Sequence, residues 1–123
     1  MTPAIIVFAH GSRIESANEA VRNVAAELAR QGGFPHVEAA FLELGKPDLE
    51  GAIVRLAAEG VRQFIVIPYF LTLGLHMDRD LPRIAEDISN KYNDLEIQVA
   101  PPLDGHPALV QVLLARARDL LHD

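Results

Sequence analysis

Four short apolar segments recur along the chain, and each is followed by a longer stretch with helical periodicity. The segments are Ala4–Ala9, Val37–Leu42, Phe64–Ile67 (with an apolar continuation to Phe70) and Leu95–Ala100. The first and third are apolar at every position, which is typical of strands covered on both faces. The second and fourth alternate partly, which is typical of strands nearer the edge of a sheet.

The stretches between the segments place apolar residues at the i, i+3, i+4 and i+7 spacing of amphipathic helices. Turn and capping residues set the expected boundaries: an end at Gly32–Gly33, a span from Asp48 to Gly60, a start at Asp80 and Pro82, and a first turn at Pro107. Strands that alternate with helices predict right-handed crossovers and a parallel sheet. The predicted fold class is therefore α/β: a single small doubly wound domain over residues 1–123, with a four-stranded parallel sheet.

The composition excludes several kinds of site. The 123 residues include no cysteine, so a bound metal must use histidine, carboxylate or backbone oxygen ligands. A net charge of −6 makes a broad nucleic-acid surface unfavourable. The apolar runs are far shorter than the roughly 18 residues of a membrane span, and no basic region precedes the first of them. We expect a cytoplasmic protein with neither nucleic acid nor membrane as a partner.

Residues whose side chains can bind a metal or transfer a proton follow three of the four predicted strands. His10–Arg13 (HGSR) follows the first strand, Glu43 follows the second, and His76 comes after the third. Because ligands of open parallel sheets bind beyond the carboxyl ends of the strands, these residues are expected to converge. Two imidazoles and a carboxylate suit iron, cobalt, nickel or zinc. Taken singly, His10 could instead satisfy local backbone groups, and Glu43 could be an ordinary solvated carboxylate.

The segment after the third strand is unusually apolar for a loop. It contains Tyr69, Phe70, Leu71, Leu73, Gly74, Leu75 and Met77 before the charged run that starts at Asp78. The segment predicts an apolar wall for a large flat ligand, although it could also fold onto its own core.

The other histidines are expected to be structural or incidental, with His106 capping the last helix or packing in its loop, and with His36 and His122 away from the site.

Four motifs make the chain resemble the short, single-domain sirohydrochlorin chelatases (CbiX/SirB type) of the class II chelatase superfamily. They are AHGSR at Ala9–Arg13, FLELGKP at Phe41–Pro47, IPYFLTLGLHMDRDLP at Ile67–Pro82 and APPLDGHP at Ala100–Pro107. The resemblance implies insertion of cobalt, iron or nickel into sirohydrochlorin, a carboxylate-rich tetrapyrrole, for cobalamin, siroheme or F430 biosynthesis. It implies no permanently bound cofactor, because the divalent ion is itself a substrate.

The resemblance also implies roles for individual residues. His10 and His76 would hold the incoming metal and take part in proton removal, and Glu43 would assist as acid/base or ligand. The substrate would contact Ser12 and the apolar segment at Tyr69, Phe70, Leu71, Leu73, Gly74 and Leu75. Because its carboxylates need local positive charge, Arg13, Lys46 and Arg79 are candidate contacts, and Arg83 is a further one.

The length of the chain predicts a homodimer by the same resemblance. Short members are about half as long as the two-lobed chelatases, so this chain would be a half-lobe completed by a second copy. A second apolar stripe on the last helix, Val110, Leu114, Ala117 and Leu121, fits a subunit contact or a wide buried face equally well.

The alternative function is a non-catalytic tetrapyrrole or metal carrier on the same fold. A phosphate-handling enzyme is less consistent, since Ala9 rather than arginine precedes His10.

Overall fold

The computed structural model describes residues 2–71 and 74–121, except for the side chains of Leu75 and His76. Strands and helices alternate along the chain: β1 (Ala4–Ala9), α1 (Glu15–Gly32), β2 (Val37–Phe41), α2 (Leu49–Ala58), β3 (Gln63–Pro68), α3 (Leu75–Lys91), β4 (Glu96–Val99) and α4 (Ala108–Leu120). None of the helices within these ranges is both long enough and apolar enough to cross a membrane.

The four strands form one parallel sheet in the order β2-β1-β3-β4. This order confirms the predicted α/β sheet, with the strands that carry the two apolar runs, β1 and β3, in the centre and the two alternating strands at the edges. The chain moves from β1 to β2 on one side and later from β3 to β4 on the other. The order therefore reverses between β1 and β3, and such a switch point is where parallel sheets bind ligands.

Helices pack on both faces of the sheet, as the doubly wound prediction requires. On one face, Ile6 and Phe8 of β1 are buried in a core that includes residues of α2 and α3. On the other face, Val7 and Ala9 pack in a smaller cluster with Ala25 of α1. Because successive side chains of a strand point to opposite faces, the apolar run of β1 supplies both cores.

The third helix begins earlier than the sequence predicts. It starts at Leu75, with Gly74 as an extended N-cap, rather than at Asp80 and Pro82. Pro82 therefore lies inside α3, where a proline removes one backbone hydrogen bond. Buried Leu81 and Ile88 pack this helix against the sheet, and such packing outweighs a weak local signal. As a result, the backbone of His76 belongs to the first turn of α3 and not to a loop.

The last helix packs much less than the sequence predicts. One stripe of α4 was expected to face the sheet, yet no residue of this fully described helix is buried. The helical spacing predicts one apolar stripe of Leu109, Val112, Leu113 and Leu120. Leu109 is half-buried, whereas the other three are exposed. The second stripe is also open to solvent, with Val110 exposed at 63%. The isolated chain thus leaves an apolar helix largely uncovered.

Candidate functional site

The exits of β1 and β2 are held together by backbone hydrogen bonds that continue the sheet. The N–H of Leu42 donates to the carbonyl of Ala9 at 2.9 Å, and the N–H of Glu43 donates to the carbonyl of His10 at 3.1 Å. Because the backbone pairing continues beyond β1 and β2, it places His10 and Glu43 next to each other. Their side chains meet there, with Nε2 of His10 at 3.6 Å from Oε1 of Glu43.

A glycine allows this close approach. Gly11 has φ +95°, and a Cβ at this position would lie 1.6 Å from the carbonyl oxygen of Glu43. No other residue fits there without separating the two segments, because real Cβ contacts essentially never fall below 3.0 Å. Gly11 thus permits a close backbone approach to the segment that carries Glu43.

The geometry of His10 and Glu43 suits transient binding of a cation. Both side chains are more than half exposed, at 58% and 57%. Nδ1 of His10 lies 3.3 Å from the carbonyl oxygen of Gly11. In the tautomer that donates this bond, Nε2 keeps its lone pair for a proton or an ion. Metal–nitrogen and metal–oxygen bonds of about 2.1 Å place neighbouring ligand atoms about 3.0–3.4 Å apart, so the pair needs only a small adjustment to share an ion.

The third predicted ligand falls on a side chain outside the described part of the structure. The backbone of His76 begins α3 near the exit of β3, whereas Thr72 and Leu73 lie outside the described residues altogether. Among the side chains that are described, no group of three His, Asp or Glu residues could hold a metal ion. Of the three predicted site residues, the structure thus places the side chains of His10 and Glu43 together, and the position of the His76 side chain stays a prediction.

An apolar groove lies at the exit of β3. The N–H of Tyr69 donates to the carbonyl of Phe8 at 2.7 Å, and the ring of Phe70 meets that of Phe8 edge-on, with centroids 6.3 Å apart. The groove has a volume of about 480 Å³ and is lined by Tyr69, Phe70, Leu71, Leu103, Leu109 and Val112. The first three lining residues were predicted. The last three were missed, although the apolar positions of α4 and its preceding loop carried the signal.

The predicted cations lie on three segments: Arg13 follows β1, Lys46 follows β2, and Arg79 and Arg83 belong to α3. Arg13, Lys46, Arg79 and Arg83 are all exposed. Within the described residues, none of the four forms an ion pair with a carboxylate. Ser12 keeps a hydroxyl proton to donate, although its Oγ accepts a hydrogen bond from the N–H of Ile14 at 3.0 Å. These groups can therefore meet an anionic ligand without first breaking an internal ion pair.

The sequence profile of the CbiX family matches residues 4–120. The chain belongs to the CbiX family. A sirohydrochlorin cobaltochelatase from Sulfolobus acidocaldarius is 32% identical to this CbiX-family chain over 95% of the chain and 91% of the relative. A CbiX protein from Marinobacter aquaeolei, known from a crystal structure, is 28% identical, with a TM-score of 0.84 and 94% of each chain covered.

A longer protein shares the fold. The sirohydrochlorin chelatase SirB from Bacillus subtilis, solved with cobalt, is 24% identical to the CbiX-family chain with a TM-score of 0.87. The match covers 98% of this chain but only 51% of the SirB chain. One SirB chain is thus about twice as long as the chain described here.

One residue near the site was missed by sequence reasoning. Asn18 of α1 is buried, and its amide contacts both Ser12 and Leu44. The signal was available, because Asn18 lies three residues before Val21 and seven before Ala25, on the apolar face of the helix. A polar side chain at such a position is expected to be buried and therefore to form hydrogen bonds inside the protein. Hydrogen bonds from Arg22 and then from Asn18 also lower the pKa of the neighbouring Glu15.

Proposed function

We propose that this chain is a sirohydrochlorin metal chelatase, a lyase that inserts cobalt, iron or nickel into the tetrapyrrole. The observation that carries the proposal is the pairing of His10 and Glu43, 3.6 Å apart at the sheet edge of a CbiX-family chain. Cobaltochelatase is the activity named for the relative from Sulfolobus acidocaldarius. The residues present at the site accept all three ions, so the choice of metal stays open.

The chemistry of insertion fits the residues. A divalent ion must exchange its water for pyrrolic nitrogens, and two pyrrolic protons must leave the ring. We assign the first contact with the ion to Nε2 of His10 and Oε1 of Glu43. Neutral imidazole and carboxylate ligands bind such ions without the strong retention of a thiolate site, and imidazole also accepts a proton. We assign the remaining contact to His76, which begins α3 across the switch point from His10.

The apolar groove and the surrounding cations fit the two parts of the substrate. The groove formed by Tyr69, Phe70 and Leu71 with α4 offers an apolar wall to the ring. We propose that Leu73, Gly74 and Leu75 extend this wall, and that Ser12 and the cations Arg13, Lys46 and Arg79 contact the carboxylates at the rim. Local positive charge is sufficient here, since nearby cations act on the substrate more strongly than a distant net negative charge.

A second copy of the chain is proposed to complete the enzyme. The exposed apolar residues of α4, among them Leu113 at 69% and Leu120 at 82%, form a surface that a monomer leaves in water. The double length of SirB supports the same arrangement, in which two half-length chains replace one long chain. That residues 1–123 form a single domain, and that the protein is cytoplasmic, stay predictions from the sequence.

The test is the initial rate of sirohydrochlorin metallation under anaerobic conditions, followed by the spectral change with Co²⁺, Fe²⁺ or Ni²⁺. We expect His10→Ala to lower the rate at least about 100-fold, as the loss of a proton-accepting and positioning group does. His36→Ala is the matched control, because His36 pairs with Glu59 at 3.7 Å but precedes β2 at the opposite end of the sheet. Equal rates for the two variants would contradict the proposed site.

A further inference from the structure

A buried amide lies directly beneath the proposed metal site. Of the polar residues that the structure describes, Asn18 is the one that is buried, with 1% of its surface exposed. It occupies the first turn of α1, on the face that packs against β1 and β2. A buried amide costs free energy unless its donors and acceptor are all used, so the partners of Asn18 show what it holds.

The side chain of Asn18 joins the segment after His10 to the segment after Glu43. Its Oδ1 accepts a hydrogen bond from the N–H of Ser12 at 2.9 Å, and its Nδ2 donates to the carbonyl of Ser12 at 2.8 Å. The same Nδ2 donates to the carbonyl of Leu44 at 3.1 Å and has a longer contact of 3.3 Å with Oε2 of Glu15 on its own helix. Ser12 is two residues beyond His10, and Leu44 directly follows Glu43. One amide therefore bridges both strand exits.

The bridged segment has a backbone that needs such support. Leu44 is a non-glycine residue with φ +59°, a conformation that costs about 1–2 kcal/mol for a side-chain-bearing residue. Gly45 follows, and a Cβ there would lie 3.2 Å from Nδ2 of Asn18. One turn further along α1, Arg22 donates to the carbonyl of Lys46 at 3.3 Å. The segment of residues 43–46 is thus bound to α1 through hydrogen bonds from Asn18 and Arg22, and it belongs to no helix or strand.

We propose that Asn18 is a positioning residue for metal insertion: it sets the separation of His10 and Glu43 by fixing Ser12 and Leu44. This inference rests on the proposed chelatase function. Without the amide, the carbonyl of Leu44 loses its donor, and the strained backbone can relax away from β1. Glu43 then moves relative to His10, and a displacement of about 1 Å in a catalytic arrangement costs about 100-fold in rate.

The decisive variant is Asn18→Asp, which keeps the shape and the acceptor for the Ser12 N–H. In place of the donor, it presents an oxygen to the carbonyls of Ser12 and Leu44 and to the carboxylate of Glu15. Asn23→Asp is the control, because Asn23 is exposed on the same helix and receives the same chemical change. We expect Asn18→Asp to lower kcat at least about tenfold and to change the KM for sirohydrochlorin much less, since the ring groove is formed elsewhere and Ser12 is the one proposed substrate contact that Asn18 holds. The dissociation constant for Co²⁺ alone, from its visible absorption, should rise about tenfold with the lost ligand geometry.

A second variant protects the test against simple unfolding. Asn18→Ser has a shorter polar side chain that cannot reach both segments, and its rate is compared at equal folded fraction measured by circular dichroism. No turnover by the unmodified chain would overturn the chelatase function. If the unmodified chain turns over, and Asn18→Asp and Asn18→Ser match Asn23→Asp in both kcat and cobalt affinity, the positioning role alone is overturned.

Discussion

Replacing Gly11 by alanine tests how the two strand exits are held together. The substitution places a Cβ 1.6 Å from the carbonyl oxygen of Glu43, and the shortest distance that real structures allow is 3.0 Å. The two segments must therefore separate by about 1.4 Å, the difference between these values. Such a shift breaks the 3.1 Å hydrogen bond from Glu43 N–H to His10 and strains the preceding one between Leu42 and Ala9.

The expected cost has two parts, which a second glycine separates. A side-chain-bearing residue at φ +95° costs about 1–2 kcal/mol from its backbone conformation alone. The loss of one or two hydrogen bonds adds about 1–3 kcal/mol. Gly60 has φ +99°, and its Cβ would have nothing within 4 Å. Gly60→Ala therefore has the backbone cost without the steric clash.

Urea unfolding of the two variants measures the difference. With an m-value of about 2 kcal/mol/M, the midpoint of Gly11→Ala should lie about 0.5–1.5 M below that of Gly60→Ala. The metallation rate of folded Gly11→Ala should also fall, because His10 and Glu43 are separated, whereas that of Gly60→Ala should not change. Coincident midpoints and equal rates would refute the close approach of the two exits.

Two further predictions concern parts of the molecule outside the metal site. Leu113→Glu should weaken the dimer at least about tenfold by removing a buried apolar contact, and Gln111→Glu should not; sedimentation velocity that shows equal association would contradict the α4 interface. Glu50 accepts hydrogen bonds from Lys91 and Tyr92, which lower its pKa below 4.5. Ionised Glu50 therefore stabilises the folded protein above pH 4.5, and this contribution is lost as the pH falls through the lowered pKa. Glu50→Gln should lower the urea midpoint at neutral pH and leave it unchanged in acid.

The arrangement of the sheet could be predicted from the sequence because burial leaves a direct signal. A strand covered on both faces must be apolar at every position, and the runs Ala4–Ala9 in β1 and Phe64–Ile67 in β3 meet this requirement, although Ile65 and Ile67 are only half-buried. Parallel topology then places all strand exits at one edge, so His10 and Glu43 could be brought together without any short ligand motif. Their pairing in the structure agrees with this reasoning.

Features that depend on tertiary packing could not be predicted in the same way. The start of α3 at Leu75 was missed because Pro82 resembles a first-turn proline, and only the packing of the helix shows otherwise. The exposure of α4 was also missed, because an apolar stripe indicates burial without indicating the partner. Asn18 was missed because periodicity places it on the apolar face of α1 but does not show its hydrogen bonds, one of which reaches Leu44, a residue distant in sequence.

The number of metallated rings formed per chain tests the central claim most directly. Sirohydrochlorin and Co²⁺ are supplied in large excess over the protein under anaerobic conditions, and the cobalt product is counted by its absorption. The chelatase account predicts many product molecules per chain, formed at a rate that His10→Ala abolishes and His36→Ala preserves. A reaction that stops at one ring per chain would contradict it and would indicate a tetrapyrrole or metal carrier instead.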